Sequence, residues 1–235
     1  MTIRGLAHRG YPLKHPENTL RGFRAALELK FTHLEFDVHL TKDGVPVVIH
    51  DPMVDRTTNG TGAVKDFTLE ELRKLDAGGG EQIPTLEEAL LLVKDRMLVD
   101  IELKQTGSMH AGLEAAVIEV IKRVDMKKKV FLTSFDHYSI MRARELDAEI
   151  ELGLVIYGAT PAVFPFMKQL GAKYLSLKYV FLTPEYAEEA KKHGIQLMVW
   201  TPDDEKQLQT LKSNYPDVLI CTNNLEGWAK VYQGA

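Results

Sequence analysis

Residues 35–51 read EFDVHLTKDGVPVVIHD, a stretch that predicts a β-hairpin. An apolar run enters, the Asp-Gly pair at 43–44 suits a two-residue primed turn, and a β-branched run returns. With that turn, Asp37 pairs with His50. Glu35 lies two residues before Asp37, so both side chains point to the same face of the strand. The pairing places the imidazole of His50 on that face as well. Two carboxylates and a histidine are therefore expected to converge, and a bound cation would relieve the repulsion between the carboxylates.

Short apolar runs alternate with helical patterns along the rest of the chain. The predicted strands are 3–8, 33–37, 97–103, 130–134, 150–156, 173–177, 195–201 and 218–222. Eight alternating strand-helix units in 235 residues predict an α/β fold, a closed (β/α)8 TIM barrel with the hairpin's return arm outside it. An open doubly wound sheet is the alternative. The chain has neither the Gly-x-Gly-x-x-Gly nor the Gly-Lys-Ser/Thr fingerprint, so no dinucleotide or P-loop site is indicated.

We expect one domain, residues 1–235, with a small insertion after the second strand, residues 51–84. This segment of roughly thirty residues is much longer than an ordinary βα loop of about 2 to 6 residues. Long loops often cover functional sites. The insertion is therefore a candidate lid over one end of the barrel.

Composition excludes several classes of partner. With 45% hydrophobic and 26% charged residues, the chain resembles an ordinary soluble globular protein. A net charge of -4 and a pI near 6.1 disfavour binding to nucleic acid. No apolar run approaches the roughly 18 residues of a spanning helix, and no secretion signal opens the chain, so stable membrane insertion is not expected. The single cysteine, Cys221, cannot form an intramolecular disulfide, which favours a cytoplasmic location. Oligomeric state is left open.

The carboxyl ends of barrel strands form the active face of this fold, and several reactive side chains are predicted there. Glu35, Asp37 and Glu102 form an all-oxygen set suited to Mg²⁺ or Ca²⁺, with zinc less natural. Arg9 and Lys104 add positive charge beside them. That combination suits an anionic phosphorus centre better than a neutral carbonyl.

Sequence motifs carry a resemblance to a known family. They are HRG at 8–10, PENT at 16–19, EFD at 35–37, TKDG at 41–44, HD at 50–51, RTTNGTG at 56–62, IPTL at 83–86 and IELK at 101–104. Their order and spacing resemble the glycerophosphodiester phosphodiesterase family, and the likeness continues through Ser134-Phe135 and Trp200-Thr201. The resemblance implies a barrel of the PLC-like phosphodiesterase type. It also implies metal-dependent hydrolysis of glycerophosphodiesters to sn-glycerol 3-phosphate and an alcohol.

The resemblance also implies roles for individual residues. These are acid/base catalysis for His8 and His50, metal binding for Glu35, Asp37 and Glu102, phosphate binding for Arg9 and Lys104, and a pocket wall for Trp200. The implied cofactor is a divalent metal, Mg²⁺ or Ca²⁺, with Mn²⁺ as an alternative. Glu17 is expected to brace the loop and orient Arg9, and the insertion to cover the site and hold the glycerol. No function is predicted for the other histidines.

The chain departs from the family pattern near its end. Asp203 stands where the family often has asparagine, and Asn223 follows Thr222 where the family commonly has aspartate. These departures leave the preferred alcohol open and do not touch the proposed metal ligands or histidines.

Three other functions stay open. Within phosphodiester chemistry, a lysophospholipase D or related phospholipid phosphodiesterase would use the same barrel. An aldolase would need Lys104 or Lys178 as a Schiff base and no metal. A binding module that has lost catalysis is the non-enzymatic alternative.

Overall fold

The computed structural model describes residues 2–234. Its strands are β1 (Ile3–His8), β2 (Phe31–Leu40), β3 (Pro46–Val48), β4 (Leu98–Leu103), β5 (Val130–Thr133), β6 (Glu151–Ile156), β7 (Tyr174–Lys178), β8 (Gln196–Trp200) and β9 (Leu219–Thr222). Its α-helices are α1 (Leu20–Glu28), α2 (Leu69–Leu72), α3 (Leu86–Val93), α4 (Leu113–Arg123), α5 (His137–Leu146), α6 (Val163–Leu170), α7 (Pro184–Lys192), α8 (Glu205–Asn214) and α9 (Leu225–Gln233). Within residues 2–234, three short 3-10 turns occur at Val64–Asp66, Lys127–Lys129 and Tyr179–Phe181.

The parallel strands close into a barrel. Their order is β1-β2-β4-β5-β6-β7-β8-β9, and β9 pairs again with β1. This closure confirms the predicted (β/α)8 barrel and rules out the open sheet. Strand β3 pairs antiparallel with β2 and stands outside the ring, as expected for a hairpin return arm.

Apolar packing divides the barrel into an outer layer and a central plug. The outer layer is one large cluster between the strands and the surrounding helices. The plug inside the barrel is small and is formed by Leu6, Phe131, Met198, Leu219 and Cys221, with Tyr174 and Trp200 packed against it. Because these side chains fill the interior, polar groups at the strand ends lie at its rim.

The loop after β1 shows how local sequence positions the site. Thr19 is the N-cap of α1, and its hydroxyl accepts a hydrogen bond from the N–H of Gly22. Asn18, the residue before it, has a φ of +56° and donates from its amide to Asp37. The cap therefore leaves Asn18 available to the carboxylates of β2.

The hairpin has a different register from the predicted one. Val38 pairs with Val48, and Leu40 pairs with Pro46, so each strand residue is shifted by one position. The N–H of Ile49 donates to the carbonyl of Asp37 at 3.0 Å. The predicted pairing of Asp37 with His50 is therefore wrong, and His50 follows the paired segment.

Side-chain hydrogen bonds explain the shift. The hydroxyl of Thr41 accepts from the N–H of Val45 at 2.9 Å and donates to the carboxylate of Asp43 at 2.6 Å. Of the Asp-Gly pair only Gly44 has a positive φ, +80°. The loop thus holds three residues and ends in a glycine bulge, the next common hairpin geometry after the two-residue turn. Asp43 also accepts from the N–H of Leu69, which ties the turn to the insertion.

The insertion, residues 51–84, packs on the outer side of the hairpin. Val54, Val64 and Leu72 are fully buried and cluster with Val47 and Ile49 of the return arm. Its short helix α2 begins with a capping box between Thr68 and Glu71. The segment is therefore anchored beside β3. Among residues 2–234, no helix is long and apolar enough to cross a membrane.

Candidate active site

Three carboxylates meet at the rim of the barrel. Glu35 and Asp37 lie on β2, and Glu102 lies on β4 directly beside Asp37 in the strand register. One oxygen from each lies within 4.8 Å of the others. Glu35 is 5% exposed and Asp37 only 1%. The structure thus brings together all three residues predicted as metal ligands.

Burial and mutual repulsion disfavour the ionised forms of Glu35 and Glu102. Burial, Asp37 and Glu102 raise the pKa of Glu35 well above its usual value. Burial also raises the pKa of Glu102, although Lys104 opposes the shift. Burial alone would raise the pKa of Asp37 too, but Arg9 and Lys104 outweigh it and lower that pKa. An oxygen-only set with this much mutual repulsion fits a hard divalent cation.

Two cations stand beside the carboxylates. Arg9 Nε lies 3.3 Å from an oxygen of Asp37. Lys104 Nζ lies 2.8 Å from Glu102 and 3.6 Å from Asp37. Both were predicted to bind phosphate, and both line the same cavity.

His50 follows β3 and faces Lys104. Its Nδ1 lies 2.6 Å from the carboxylate of Asp51, and its Nε2 lies 3.3 Å from Lys104 Nζ. Because a carboxylate can only accept, Nδ1 carries a proton, and Nε2 then accepts from the ammonium. The imidazole is held between an anion and a cation.

His8 ends β1 on the opposite side of the cluster. Its Nδ1 lies 2.7 Å from the amide oxygen of Asn223, and its Nε2 lies 3.8 Å from Glu35. Asn223 is oriented by Asp203, which accepts from its side-chain and backbone N–H groups. Burial, aided by Arg9, lowers the pKa of His8 to about 4. His8 is therefore neutral near pH 7, with Nε2 directed toward the carboxylates.

Asn223 and Asp203 were not predicted as site residues, yet they hold His8. The signal was present in the sequence, since both departures from the family pattern fall after neighbouring strands, β8 and β9. Strand β9 lies beside β1, which carries His8. Barrel closure brings the departures and the histidine together.

The insertion reaches the site through Arg56. Its guanidinium binds both oxygens of Asp51 and both oxygens of Glu17 at 2.7 to 3.0 Å. Glu17 in turn accepts from Arg9 at 3.1 Å. Residues from two loops and the insertion therefore form one connected network between His50 and Arg9. Glu17 lies against Arg9, where it was expected.

Two buried histidines, His39 and His110, contact each other beside the backbone of His50. His39 Nδ1 lies 2.7 Å from His110 Nε2, and His39 Nε2 donates to the carbonyl of His50 at 3.0 Å. No function was predicted for either residue from the sequence. His39 lies two positions after Asp37 on β2, and this spacing already indicated that the two side chains share one face of the strand.

A cavity of about 250 Å³ opens above the cluster. It is lined by His8, Arg9, Glu35, His50, Asp100, Glu102, Lys104, Phe135, Val155, Ser176, Trp200 and Cys221. Asp100 is buried, accepts from Thr133 and was not predicted. A larger groove of about 560 Å³ around Arg4 and Tyr215 contains none of the predicted site residues.

Aromatic side chains form a wall that begins in the cavity with Phe135 and Trp200. This aromatic wall consists of Phe135, Tyr157, Phe181 and Trp200, whose neighbouring rings lie 5.3 to 6.1 Å apart. Tyr157 is 65% exposed and Phe135 47%. At its outer end, Lys178 Nζ lies 5.2 Å from the centre of the Tyr157 ring. The indole N–H of Trp200 is buried and has no hydrogen-bond partner among the described residues.

Residues 8–225 match the Glycerophosphoryl diester phosphodiesterase family. The chain belongs to this family. A glycerophosphodiester phosphodiesterase of Caldanaerobacter subterraneus subsp. tengcongensis is 40% identical over 214 residues, covering 88% of each chain. One from Bacillus altitudinis is 35% identical over 216 residues, covering 87% of this chain and 88% of its own. The resemblance seen in the motifs is confirmed, and with it the assignment as a phosphodiester hydrolase.

Solved structures agree with this membership. An Oleispira antarctica phosphodiesterase in complex with the product sn-glycerol-3-phosphate superposes with a TM-score of 0.89 at 27% identity. The superposition covers 97% of this chain and 96% of that one. The barrel and its connections are therefore shared over nearly the whole length.

Proposed function

We propose that this chain hydrolyses glycerophosphodiesters to sn-glycerol 3-phosphate and an alcohol, with the help of a divalent metal ion. The observation that carries the proposal is the convergence of the carboxylates Glu35, Asp37 and Glu102 with His8 and His50 around one cavity. The product bound by the Oleispira antarctica relative supports the choice of substrate.

The donor set supports the metal. Three carboxylate oxygens without nitrogen or sulfur suit Mg²⁺ or Ca²⁺, with Mn²⁺ as the alternative. When bound by Glu35, Asp37 and Glu102, such an ion would stabilise the charge that develops on a phosphoryl oxygen. Arg9 and Lys104 would bind the other phosphate oxygens, and each would give up part of its contact with the carboxylates to do so.

The hydrogen bonds of the two histidines support different roles. His8 is neutral, donates from Nδ1 to Asn223 and keeps a lone pair on Nε2, so it would accept the proton of the nucleophile. His50 is held by Asp51 through Nδ1 and turns Nε2 toward Lys104, so it would serve the other proton transfer, the one to the departing alcohol. Each such proton transfer contributes on the order of 10² to 10⁴ in rate.

The decisive experiment measures release of sn-glycerol 3-phosphate from glycerophosphocholine and glycerophosphoethanolamine. The protein is treated with EDTA and then supplied with Mg²⁺, Mn²⁺ or Ca²⁺. We expect metal-restored turnover that is lost in His8→Ala and in Glu35→Ala. His193→Ala and Glu70→Ala, at exposed side chains that do not line the cavity, serve as matched controls. No turnover with any metal and either substrate would contradict the proposal.

The aromatic wall supports a second candidate, a lysophospholipase D. Long-chain substrates need an exposed apolar rim, and Phe135 in the cavity and Tyr157 in the aromatic wall provide exposed apolar surface. Release of choline from lysophosphatidylcholine below its micellar concentration would test this candidate. A kcat/KM above that for glycerophosphocholine would favour it, and a value at least tenfold lower would reject it.

A further inference from the structure

A second group of ligand atoms overlaps the carboxylate cluster. His8, Glu35 and Cys221 each offer one atom, and these atoms lie within 4.8 Å of one another. They come from three adjacent strands, because β1 pairs with both β2 and β9. All three residues line the cavity, so an ion has access to them.

The donor chemistry of this group differs from that of the carboxylates. It combines an imidazole nitrogen, a carboxylate oxygen and a sulfur, a set that suits a soft or borderline metal such as zinc. His8 Nε2 lies 3.8 Å from Glu35 Oε2. Two ligands on a tetrahedral zinc are separated by about 3.5 Å, given bonds of about 2.0 to 2.3 Å. Small side-chain adjustments would therefore allow them to share an ion.

The surroundings of His8 already suit metal binding. Its Nδ1 donates to Asn223, which leaves Nε2 unprotonated and fixes the plane of the ring. Histidines that bind metals commonly donate their second ring N–H to a carbonyl or carboxylate in this way. Cys221 is a free thiol on the inner face of β9 and is 4% exposed.

We infer that His8, Glu35 and Cys221 form a binding site for zinc or a similar soft divalent ion, distinct in chemistry from the oxygen-only cluster. Binding releases the thiol proton to solvent and leaves a thiolate on the metal. The site takes Glu35 from the carboxylate cluster and occupies the Nε2 atom of His8. An ion bound here therefore inhibits the reaction proposed above; this last step rests on the proposed function.

Cobalt titration tests the site without substrate. A thiolate bound to Co²⁺ gives a charge-transfer absorption in the near ultraviolet that carboxylates do not give. Because the chain has a single cysteine, any such band reports Cys221. We expect the band in the wild-type protein, its displacement by Zn²⁺ at concentrations at which Mg²⁺ leaves it unchanged, and its loss in Cys221→Ser. His8→Ala should weaken Co²⁺ binding by about tenfold or more.

Two results would overturn the site. One is the absence of the band in folded wild-type protein at millimolar Co²⁺. The other is a band of unchanged affinity in both His8→Ala and Glu35→Gln. Cys221→Ala provides a second sulfur-free variant, and circular dichroism checks that each variant is folded.

Zinc inhibition tests the functional consequence. Turnover is measured at saturating Mg²⁺, and the rate of each protein is expressed relative to its own rate without zinc. Half inhibition of Cys221→Ser should need at least tenfold more Zn²⁺ than half inhibition of the wild type. Equal sensitivity of wild type and variant would overturn the inhibitory role. If the wild type hydrolyses no glycerophosphodiester, the proposed function fails and the inhibitory role with it, while the cobalt titration still decides the site.

Discussion

The amide oxygen of Asn223 lies 2.7 Å from Nδ1 of His8, and the same amide donates to Asp203 at 2.7 Å. These residues are 215 positions apart and meet because β9 pairs with β1. An amide, unlike a carboxylate, orients the ring without adding a negative charge. This contact sets which nitrogen of His8 faces the carboxylates.

Variants at Asn223 and Asp203 should distinguish the effect of orienting the His8 ring from the effect of placing a negative charge beside it. Asn223→Leu is expected to lower kcat by about 10- to 100-fold with little change in KM, because His8 loses its orienting partner. Asn223→Asp should be similarly impaired, since two carboxylates would face each other. The double variant Asp203→Asn/Asn223→Asp restores one amide and one carboxylate and should recover most of the activity. Steady-state kinetics and melting temperatures of all three variants test this, and failure of the double variant to exceed Asn223→Asp would contradict it.

The charge of Glu35 should destabilise the metal-free protein. Its pKa is raised in the folded state, so it favours folding below its unfolded pKa and loses that contribution as pH rises through the folded value. Glu35→Gln should therefore be at least as stable as wild type at pH 7 without metal. The variant should also lose the increase in the free energy of unfolding that metal binding gives. For wild type this increase is about 2.7 kcal/mol at a metal concentration of 100 times Kd.

Urea unfolding with EDTA and with Mg²⁺ measures both effects of Glu35→Gln. Glu119→Gln, at a carboxylate that is 78% exposed, is the control. A clear loss of stability in the metal-free variant would contradict the prediction.

Arg56 should be irreplaceable by lysine. Its guanidinium holds two carboxylates, Asp51 and Glu17, each through two oxygens, which a single ammonium cannot reproduce. Arg56→Lys and Arg56→Met are both expected to lower kcat/KM by about tenfold, because Arg9 and His50 lose a shared support. Arg123→Lys, at a similarly exposed arginine paired with Glu87, is the control. Normal activity in Arg56→Lys would show that charge alone suffices.

Lys178 should set a preference among alcohols. Its ammonium already lies over the Tyr157 ring, so a second cation such as choline is repelled at the aromatic wall. We expect Lys178→Met to raise kcat/KM for glycerophosphocholine relative to glycerophosphoinositol by about three- to tenfold at low salt. Lys173→Met, which removes an exposed charge just before the other end of β7, is the control. An unchanged ratio would exclude Lys178 from substrate selection.

Asp147 should make the fold acid-sensitive. Burial alone would raise its pKa, but Lys127, the N–H groups of Glu149 and Ile150, and Lys122 outweigh it and hold the pKa well below the usual value. A lowered folded pKa stabilises the protein above the unfolded value near 4 and loses that contribution as pH falls. Asp147→Asn should cost about 1 to 3 kcal/mol at pH 7, and the difference from wild type should shrink toward pH 3. Urea unfolding across this range measures it, and a constant difference would contradict the assignment.

The barrel and the residues that meet at its rim could largely be predicted from the amino-acid sequence. Eight strand-helix repeats leave few other packings, and strands that run parallel bring their carboxyl ends to one rim. Glu35, Asp37 and Glu102 therefore had to be neighbours once the strand ends were recognised. The family motifs then indicated the chemistry for which such a cluster is used.

The contacts that depend on barrel closure, or on competition between side chains for the same backbone groups, could not be predicted in this way. The hairpin register depends on the hydroxyl of Thr41, whose bonds to Asp43 and Val45 stabilise a three-residue loop over the predicted turn. The support of His8 by Asn223, and its approach to Cys221, require the last strand to meet the first. No local sequence pattern predicts a contact between residues at opposite ends of a chain, because the free energy of that pairing is gained only when the barrel closes.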